Sequence, residues 1–309
     1  MPSPAAPPLK ISVIIPTKGR PAALTQAIRS VAEQTVPVAE LIIVDGTSQP
    51  AQEAELAAAM GDVPRPPRLV YRWAPEDAGL TAARNRGVGL AGGDIIQVMD
   101  DDTTVAPDYF EQLSRAFEPA DVGGAAGRLI DPVAEAHGLR RWLFRCCYVG
   151  PFRQRAAELF LWPPRALTET NTLPGASAYR REAFAQFRFD EALTGPGVGE
   201  DLDFSYRVGN RWRLVIQPAA QIVHHRSPEE RQASRKNFAD KVGFYHYHFR
   251  KNMGGSPVEW AAYLWLNAGF ALDALLRLRT GPLLGLLDGW RRVARRGLLS
   301  RPPRVPPVT

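Results

Sequence analysis

The stretch Ile95-Ile96-Gln97-Val98-Met99-Asp100-Asp101-Asp102 decides how the chain is read. Isoleucine and valine favour pleated, buried backbone, so the run predicts a strand whose carboxyl end meets three consecutive carboxylates. In an open parallel sheet, ligands bind beyond the carboxyl ends of the strands. Three adjacent carboxylates repel one another unless a cation is near. Hard oxygen ligands suit Mg2+ or Mn2+, which in turn bridge diphosphate oxygens. The competing reading is a solvated turn capping a helix that starts near Pro107, but a cap needs one carboxylate and not three.

Working outward, three similar runs precede this one, at 11–15, 41–44 and 69–71. Between them lie stretches of helical character. Over 21–34, Leu24, Ile28 and Val31 fall on one helix face, and Pro21 suits the first helical position. Stretches 51–60 and 78–90 are rich in alanine and other helix formers. Strand–helix alternation of this spacing predicts an α/β fold with a mainly parallel central sheet flanked by helices. Downstream, the pattern predicts a helix over 107–117, a Gly-rich strand over 122–130, a return to the sheet over 171–179 and a short helix over 200–208. Two short strands divided at Pro218 are expected over 213–225. From 228 the chain reads as a helical, amphipathic extension to 298, followed by a basic, proline-rich tail at 299–309. Residues 1–9 read as a disordered tail.

The formal net charge of +6 fits nucleotide diphosphates, acidic membrane surfaces or nucleic acid. The basic residues are scattered and no nucleic-acid motif accompanies them, which disfavours nucleic acid. Cys146 and Cys147 are adjacent, so neither a zinc ribbon nor a disulfide framework is supported. They read as reduced thiols of a cytoplasmic protein. The first residues lack the pattern of a signal peptide. The most apolar segment, 260–278, is broken by Asn267, Asp273 and Arg277 and falls short of the ~18 apolar residues of a span. The stretch 260–290 is nevertheless amphipathic, and Arg291, Arg292, Arg295 and Arg296 follow it. It reads either as a peripheral contact with the inner face of a membrane or as a helical cap or homodimer surface.

Other residues carry chemistry. Pro16-Thr17-Lys18-Gly19-Arg20 follows the first strand and could set backbone groups and cations beside a nucleotide. Asp45 ends the second strand, where a carboxylate can accept from a base or ribose or simply close an Asx turn. Gly199-Glu200-Asp201-Leu202-Asp203 offers a general base, or acids favoured by a helix N-terminus. His224 or His225 could complete a metal shell. His246 and His248 read as packing residues. Gly87 to Gly92 matches G-x-G-x-x-G, but it closes a helix and enters a strand, the reverse of a dinucleotide site.

Taken in order, these pieces resemble the family 2 glycosyltransferases of GT-A fold. The likeness is carried by 12–20, Leu41-Ile-Ile-Val-Asp45, Gly79-Leu-Thr-Ala-Ala-Arg-Asn-Arg-Gly87, Ile95 to Asp102 as a D-x-D strand, 175–184, Phe189-Asp-Glu191 with Glu200-Asp-Leu-Asp203, and Ile222-Val-His224. The resemblance implies a catalytic domain over 10–227, with a donor half at 10–105 and an acceptor half at 106–227. It implies that Pro16, Thr17, Asp45, Arg84, Asp100, Asp101 and Glu200 border a nucleotide-sugar. Asp45 would contact the base and Asp100 the ribose or a metal-bound water. Asp102, with His224, would hold Mg2+ or Mn2+, and Asp201 would be the base of an inverting transfer to a glycan or lipid-linked hydroxyl in cell-surface polysaccharide or glycolipid synthesis. The middle aspartate leaves the metal register ambiguous by one residue. A processive Q-x-x-R-W motif is missing, since Val208 stands where its glutamine would be, so a non-processive enzyme is expected. Two alternatives stay open: a sugar nucleotidyltransferase, and a non-catalytic nucleotide-sugar-binding protein on the same fold. The arginine- and aromatic-rich stretch 137–165 is expected to border the acceptor.

Overall fold

A computed structural model describes residues 9–77, 79–130, 142–143, 145–149, 159, 163–193, 199–225, 235–253, 255–276 and 280–297. The first half follows the predicted alternation: β1 (Ile11–Thr17), α1 (Pro21–Ala32), β2 (Glu40–Asp45), α2 (Glu53–Ala59), β3 (Arg68–Trp73), α3 (Leu80–Leu90) and β4 (Ile95–Val98). These strands lie side by side in the order β3-β2-β1-β4, all parallel. β1, β2 and β4 are buried on both faces, which is why they read as unbroken apolar runs, while the edge strand β3 is only half covered. Alternate side chains serve opposite faces. Val13, Ile15, Leu41 and Ile43 pack with Leu24, Ile28 and Val31 of α1, and Ile14, Ile42 and Val44 pack with Ala83 of α3.

Beyond β4 the sheet becomes mixed. The elements are β5 (Thr103–Val105), α4 (Tyr109–Arg115), β6 (Val122–Ile130), β7 (Thr168–Thr170), β8 (Ser177–Arg180), α5 (Arg181–Gln186), α6 (Glu200–Gly209) and β9 (Arg213–His224). The order continues β4-β8-β6-β9-β5, with β7 also on β9. β8 runs antiparallel to β4 and β6, β6 is parallel to β9, and β5 and β7 are antiparallel to β9. One expectation is corrected. Residues 213–224 form a single strand and are not split at Pro218. The pairing with β6 jumps from Gly127–Gln217 to Arg128–Gln221. Pro218, which has no N–H to donate, falls inside that bulge and leaves the strand unbroken. The short β5 was not expected; it exists because the distant end of β9 supplies its partner.

The chain then forms α7 (Arg235–Asn252), α8 (Pro257–Leu276) and α9 (Thr280–Arg296). Gly289 lets α9 approach α7 closely, since a Cβ there would lie 2.7 Å from Val242 Cβ and 2.9 Å from the Ala239 carbonyl. A short π-helical turn, Arg145–Val149, places Cys147 against Gly269 of α8. Most of the stretch 137–165, residues 195–197, and nearly all of both expected tails lie outside the described residues. No described helix is long and apolar enough to cross a membrane.

The G-x-G-x-x-G run lies at the opposite end of the sheet from the aspartates. Gly92 N–H donates to Glu40 Oε2 at 2.7 Å and Gly93 N–H to Ser12 Oγ at 2.8 Å, so the glycines close α3 onto the start of β1 and β2. A Cβ on Gly93 would lie 2.7 Å from the Lys10 carbonyl and 2.8 Å from the Ser12 nitrogen, both backbone. A Cβ on Gly89 meets open space. Gly93→Ala is therefore expected to destabilise by about 1–3 kcal/mol. Gly89→Ala should be neutral or stabilise by up to ~1 kcal/mol through helix propensity. Thermal unfolding of the two variants checks the pair.

Candidate active site

Three strand ends meet at one edge of the sheet: Thr17 of β1, Asp45 of β2, and Asp100 just beyond β4. The turn after β4 is held by Thr103, whose N–H and hydroxyl both donate to the Asp100 carbonyl, at 3.2 and 2.7 Å. Asp101 faces the end of β1 and lies outside the group that Asp100 and Asp102 form with His224. Asp101 Oδ2 accepts from the Thr17 hydroxyl at 2.8 Å, and Asp101 Oδ1 lies 3.4 Å from Arg20 Nε. Burial pushes the Asp101 carboxyl above the usual range, and the Thr17 and Arg20 contacts only partly offset it.

Asp102 is brought to His224 by sheet pairing. Thr103 of β5 lies opposite His224 of β9, and His225 N–H donates to the Asp102 carbonyl at 2.8 Å. Side chains alternate along a strand. His224 therefore faces Asp102, with Nε2 3.1 Å from Oδ1, whereas His225 turns away and pairs with the Thr104 hydroxyl at 2.7 Å. One ligand atom each from Asp100, Asp102 and His224 fall within 4.8 Å of one another. Asp102 Oδ1 is buried, with His224 Nε2 beside it. Two carboxylates and an imidazole gathered in this way fit Mg2+ or Mn2+. Burial raises the Asp102 carboxyl, but His224 and Arg20 outweigh it and hold it below the usual range, so it is charged and ready to bind. Arg20 Nη1 lies 2.9 Å from Asp102 Oδ2 and supplies part of the positive charge. Asp100 thus lies where it could join the expected pair of Asp102 and His224, and Asp101 is not in this group.

Asp45 is buried and makes the Asx turn. Its Oδ1 accepts from Thr47 N–H and hydroxyl at 2.9 and 2.7 Å, and its Oδ2 from Tyr71 hydroxyl and Ala51 N–H at 2.9 and 3.3 Å. Burial raises this carboxyl and the four donors more than reverse the effect. Pro16 is buried in β1 beside Val44 and carries Thr17 to Asp101.

The two halves of the molecule are joined by Arg84. It comes from α3 and is wholly buried. Nη2 donates to Asp100 Oδ1 at 2.9 Å and Nη1 donates to Glu200 Oε1 at 2.9 Å. Its neighbour Asn85 has a structural role and exchanges hydrogen bonds with the Phe189 backbone, at 2.9 Å each way. Glu200 and Asp201 open α6, and Gly199 before them has φ of 77°, a left-handed conformation that disfavours any side chain. The Phe244 ring of α7 also lies directly on Gly199. α6 is anchored from behind. Lys251 Nζ lies 2.5 Å from Asp190 Oδ2 and 2.8 Å from Asp203 Oδ1, and Asn252 and Arg207 also donate to Asp203.

Asp201 is only partly exposed. Burial, then the neighbouring Glu200, pushes its carboxyl up to about 7, where a carboxylate can take a proton near neutral pH. The position a Cβ would take on Gly175 lies 3.9 Å from Asp201 Oδ2, 3.9 Å from Asp100 Oδ2 and 3.7 Å from Arg84 Nη2. A side chain at position 175 would thus touch Asp201, Asp100 and Arg84 at once, so Gly175 sits where the expected base, an expected donor residue and the bridging cation meet.

This constellation can be set beside known proteins. The family model described as "Glycosyl transferase family 2" matches residues 12–188. The chain belongs to glycosyl transferase family 2. The glycosyltransferase is 25% identical over 244 residues to the "Uncharacterized glycosyltransferase YwdF" of Bacillus subtilis, covering 77% of this chain and 84% of that one. It is 31% identical over 216 residues to the "Succinoglycan biosynthesis protein ExoO" of Rhizobium meliloti, covering 65% of this chain and 56% of that one. In fold, it is similar to S. aureus TarS 1–349 solved with UDP-GlcNAc, with TM-score 0.59, 14% identity, and coverage of 91% of this chain and 79% of that one. The GT-A architecture expected from the motif order is therefore present. The family, and not the sugar nucleotidyltransferase alternative, accounts for the match.

Sequence reasoning named most of the glycosyltransferase's clustered residues but missed three. Arg20 stood in the loop expected to set cations beside a nucleotide, but its pairing with Asp101 and Asp102 was not expected. Gly175 opened a quoted segment, but its place between Asp100, Asp201 and Arg84 has no local signal. Lys251 has none either, since Asp190 and Asp203 reach it only in the fold.

Two outcomes follow for Arg84 and Asp201. Arg84→Met leaves Asp100 and Glu200 without their buried cation and is expected to cost about 3–5 kcal/mol in urea unfolding. Asp201→Asn should do the opposite. A carboxyl whose folded value is raised opposes folding once the unfolded chain ionises it. The variant's stability advantage should be nil near pH 4, grow as pH rises towards 7 and level off above it. Paired unfolding curves across that range check the sign.

Proposed function

We propose that this glycosyltransferase moves a sugar from a nucleoside-diphosphate sugar to a hydroxyl of a glycan or lipid-linked acceptor, with inversion, in a single non-processive displacement. The observation that carries the reading is Asp201: a carboxyl held near neutral, opening into the same space as Asp100. An inverting transfer needs one base on the acceptor side and no nucleophile on the enzyme.

Each residue's part follows from its place. Thr17, Asp45 and Asp100 line the carboxyl ends of β1, β2 and β4, where a nucleotide would lie. Asp45 would take a base or ribose donor in exchange for the longest of its four bonds, that from Ala51. Asp102, His224 and Asp100 would hold Mg2+ or Mn2+, which when bound supplies positive charge to the leaving diphosphate. Asp101 keeps Thr17 and Arg20 at the donor edge. Glu200 and Arg84 fix the start of α6, so that Asp201 meets the incoming hydroxyl. Asp201 takes the hydroxyl proton, the acceptor oxygen bonds to the anomeric carbon, and the bond to the diphosphate oxygen breaks. The name of ExoO, a succinoglycan biosynthesis protein, favours polysaccharide or glycolipid assembly as the setting.

Thermal shift against a panel of nucleoside diphosphates, with and without Mn2+, tests the donor. One nucleotide should stabilise the protein, more strongly with metal, by the usual ligand linkage. No response to any nucleotide would sink the reading. For the chemistry, Asp201→Asn should lower kcat by about 10²–10⁴-fold with little change in donor affinity. A base must be deprotonated, so the wild-type rate should fall as pH drops below about 7. A rate flat from pH 5 to 8, or an active Asp201→Asn, would reject Asp201 as the base.

A further inference from the structure

The helix α8 has its polarity inverted. On α8, the polar residues Asn267 and Asp273 point inward and are buried, together with Tyr263, Leu266, Phe270 and Ala274. Asn267 even leaves its Oδ1 buried without a hydrogen-bond partner among the described residues. Outward lie Val258, Ala261, Leu264, Trp265, Ala268, Leu272 and Leu275, all exposed and all apolar. Apart from Leu264, which flanks them, they recur at alternating intervals of three and four residues, which keeps them on one stripe. Over residues 258–275 that stripe is about 27 Å long at 1.5 Å per residue. Leu264 is 59% exposed, Trp265 53% and Leu275 54%. Trp265 satisfies its one polar atom internally, Nε1 donating to the Cys146 carbonyl at 3.0 Å, which leaves an apolar ring facing out.

α9 packs on the inward side of α8, where the Tyr263 and Trp290 ring centroids are 5.9 Å apart. Its own outer stripe passes from apolar to basic: Leu284 and Leu287 are exposed, then Arg291 and Arg295, at intervals of three, four and four. Sparse exposed leucines are ordinary, but a continuous apolar stripe of this length marks an interaction surface.

We propose that α8 and α9 seat the enzyme on an anionic lipid surface, with the α8 stripe in the acyl boundary and Arg291 and Arg295 among the headgroups. Charge complementarity selects this occupant. A second copy would have to bury the arginine-bearing edge twice in one interface, whereas anionic headgroups neutralise it. The helices would lie on the surface and not cross it, since none is long and apolar enough to span. The inference does not depend on the donor chemistry, and its test reads no turnover.

The test is co-flotation of the full chain with vesicles of phosphatidylcholine plus phosphatidylglycerol, and with phosphatidylcholine alone. The wild type should float with the mixed vesicles, much less with the neutral ones, and less again in high salt. The triple variant Leu264→Glu, Leu272→Glu, Leu275→Glu should stay in the soluble fraction with unfolding little changed, because these side chains are exposed. A second variant, Arg291→Glu with Arg295→Glu, leaves the apolar stripe intact and should weaken binding to the mixed vesicles by roughly tenfold or more. Wild-type protein that stays soluble with both vesicle types would overturn the proposal. So would a dimer, seen by light scattering, that the triple variant abolishes while no form floats.

Discussion

Everything at the active site depends on one buried cation. Arg84 is enclosed by protein and touches Asp100 with one nitrogen and Glu200 with another. Asp100 belongs to the parallel half of the sheet and Glu200 to the helix beyond it, so the two halves close on this guanidinium. Ionised carboxylates within a few ångströms of one another are unfavourable in a low-dielectric site. Arg84 compensates the two that touch it. Burial, then Glu200, raises the Asp201 carboxyl towards neutral, and Arg84 offsets only part of that rise.

The rest of the structure supports this arrangement from behind. Lys251 of α7 is buried between Asp190 and Asp203, one on the approach to α6 and one within it. Phe244, on the same helix, covers Gly199. α7 is in turn packed against α9 through close glycine contacts. The helix α9, which carries the basic stripe, is thus linked through α7 to the helix that carries Asp201.

Much of this was legible in the amino-acid order, for local reasons. The apolar runs of β1, β2 and β4 and the i, i+4, i+7 face of α1 are periodic signals within a few residues, and they placed the parallel sheet. The decoy at Gly87–Gly92 was legible as well, because its order of helix then strand is itself local. What was not legible needed long-range pairing. The choice between His224 and His225 depends on which one the β5–β9 register turns towards Asp102. The pairing of Asp101 with Thr17 joins residues far apart in the chain, across the end of the sheet. Continuity of β9 through Pro218 depends on a bulge opposite β6 that no composition rule announces. Asp45 was readable as either a ligand contact or an Asx turn, and the fold shows the turn in full.

The central claim is that Asp102 and His224, joined by Asp100, form a divalent-metal site completed by a nucleoside diphosphate. Mn2+ electron paramagnetic resonance titration measures this directly, because free and bound ion give distinct signals. The account predicts about one bound Mn2+ per chain, bound more tightly when the preferred nucleoside diphosphate is present. It also predicts that the bound ion is lost in Asp102→Asn and weakened in His224→Ala. Mn2+ binding that ignores the nucleotide and survives both substitutions would contradict it.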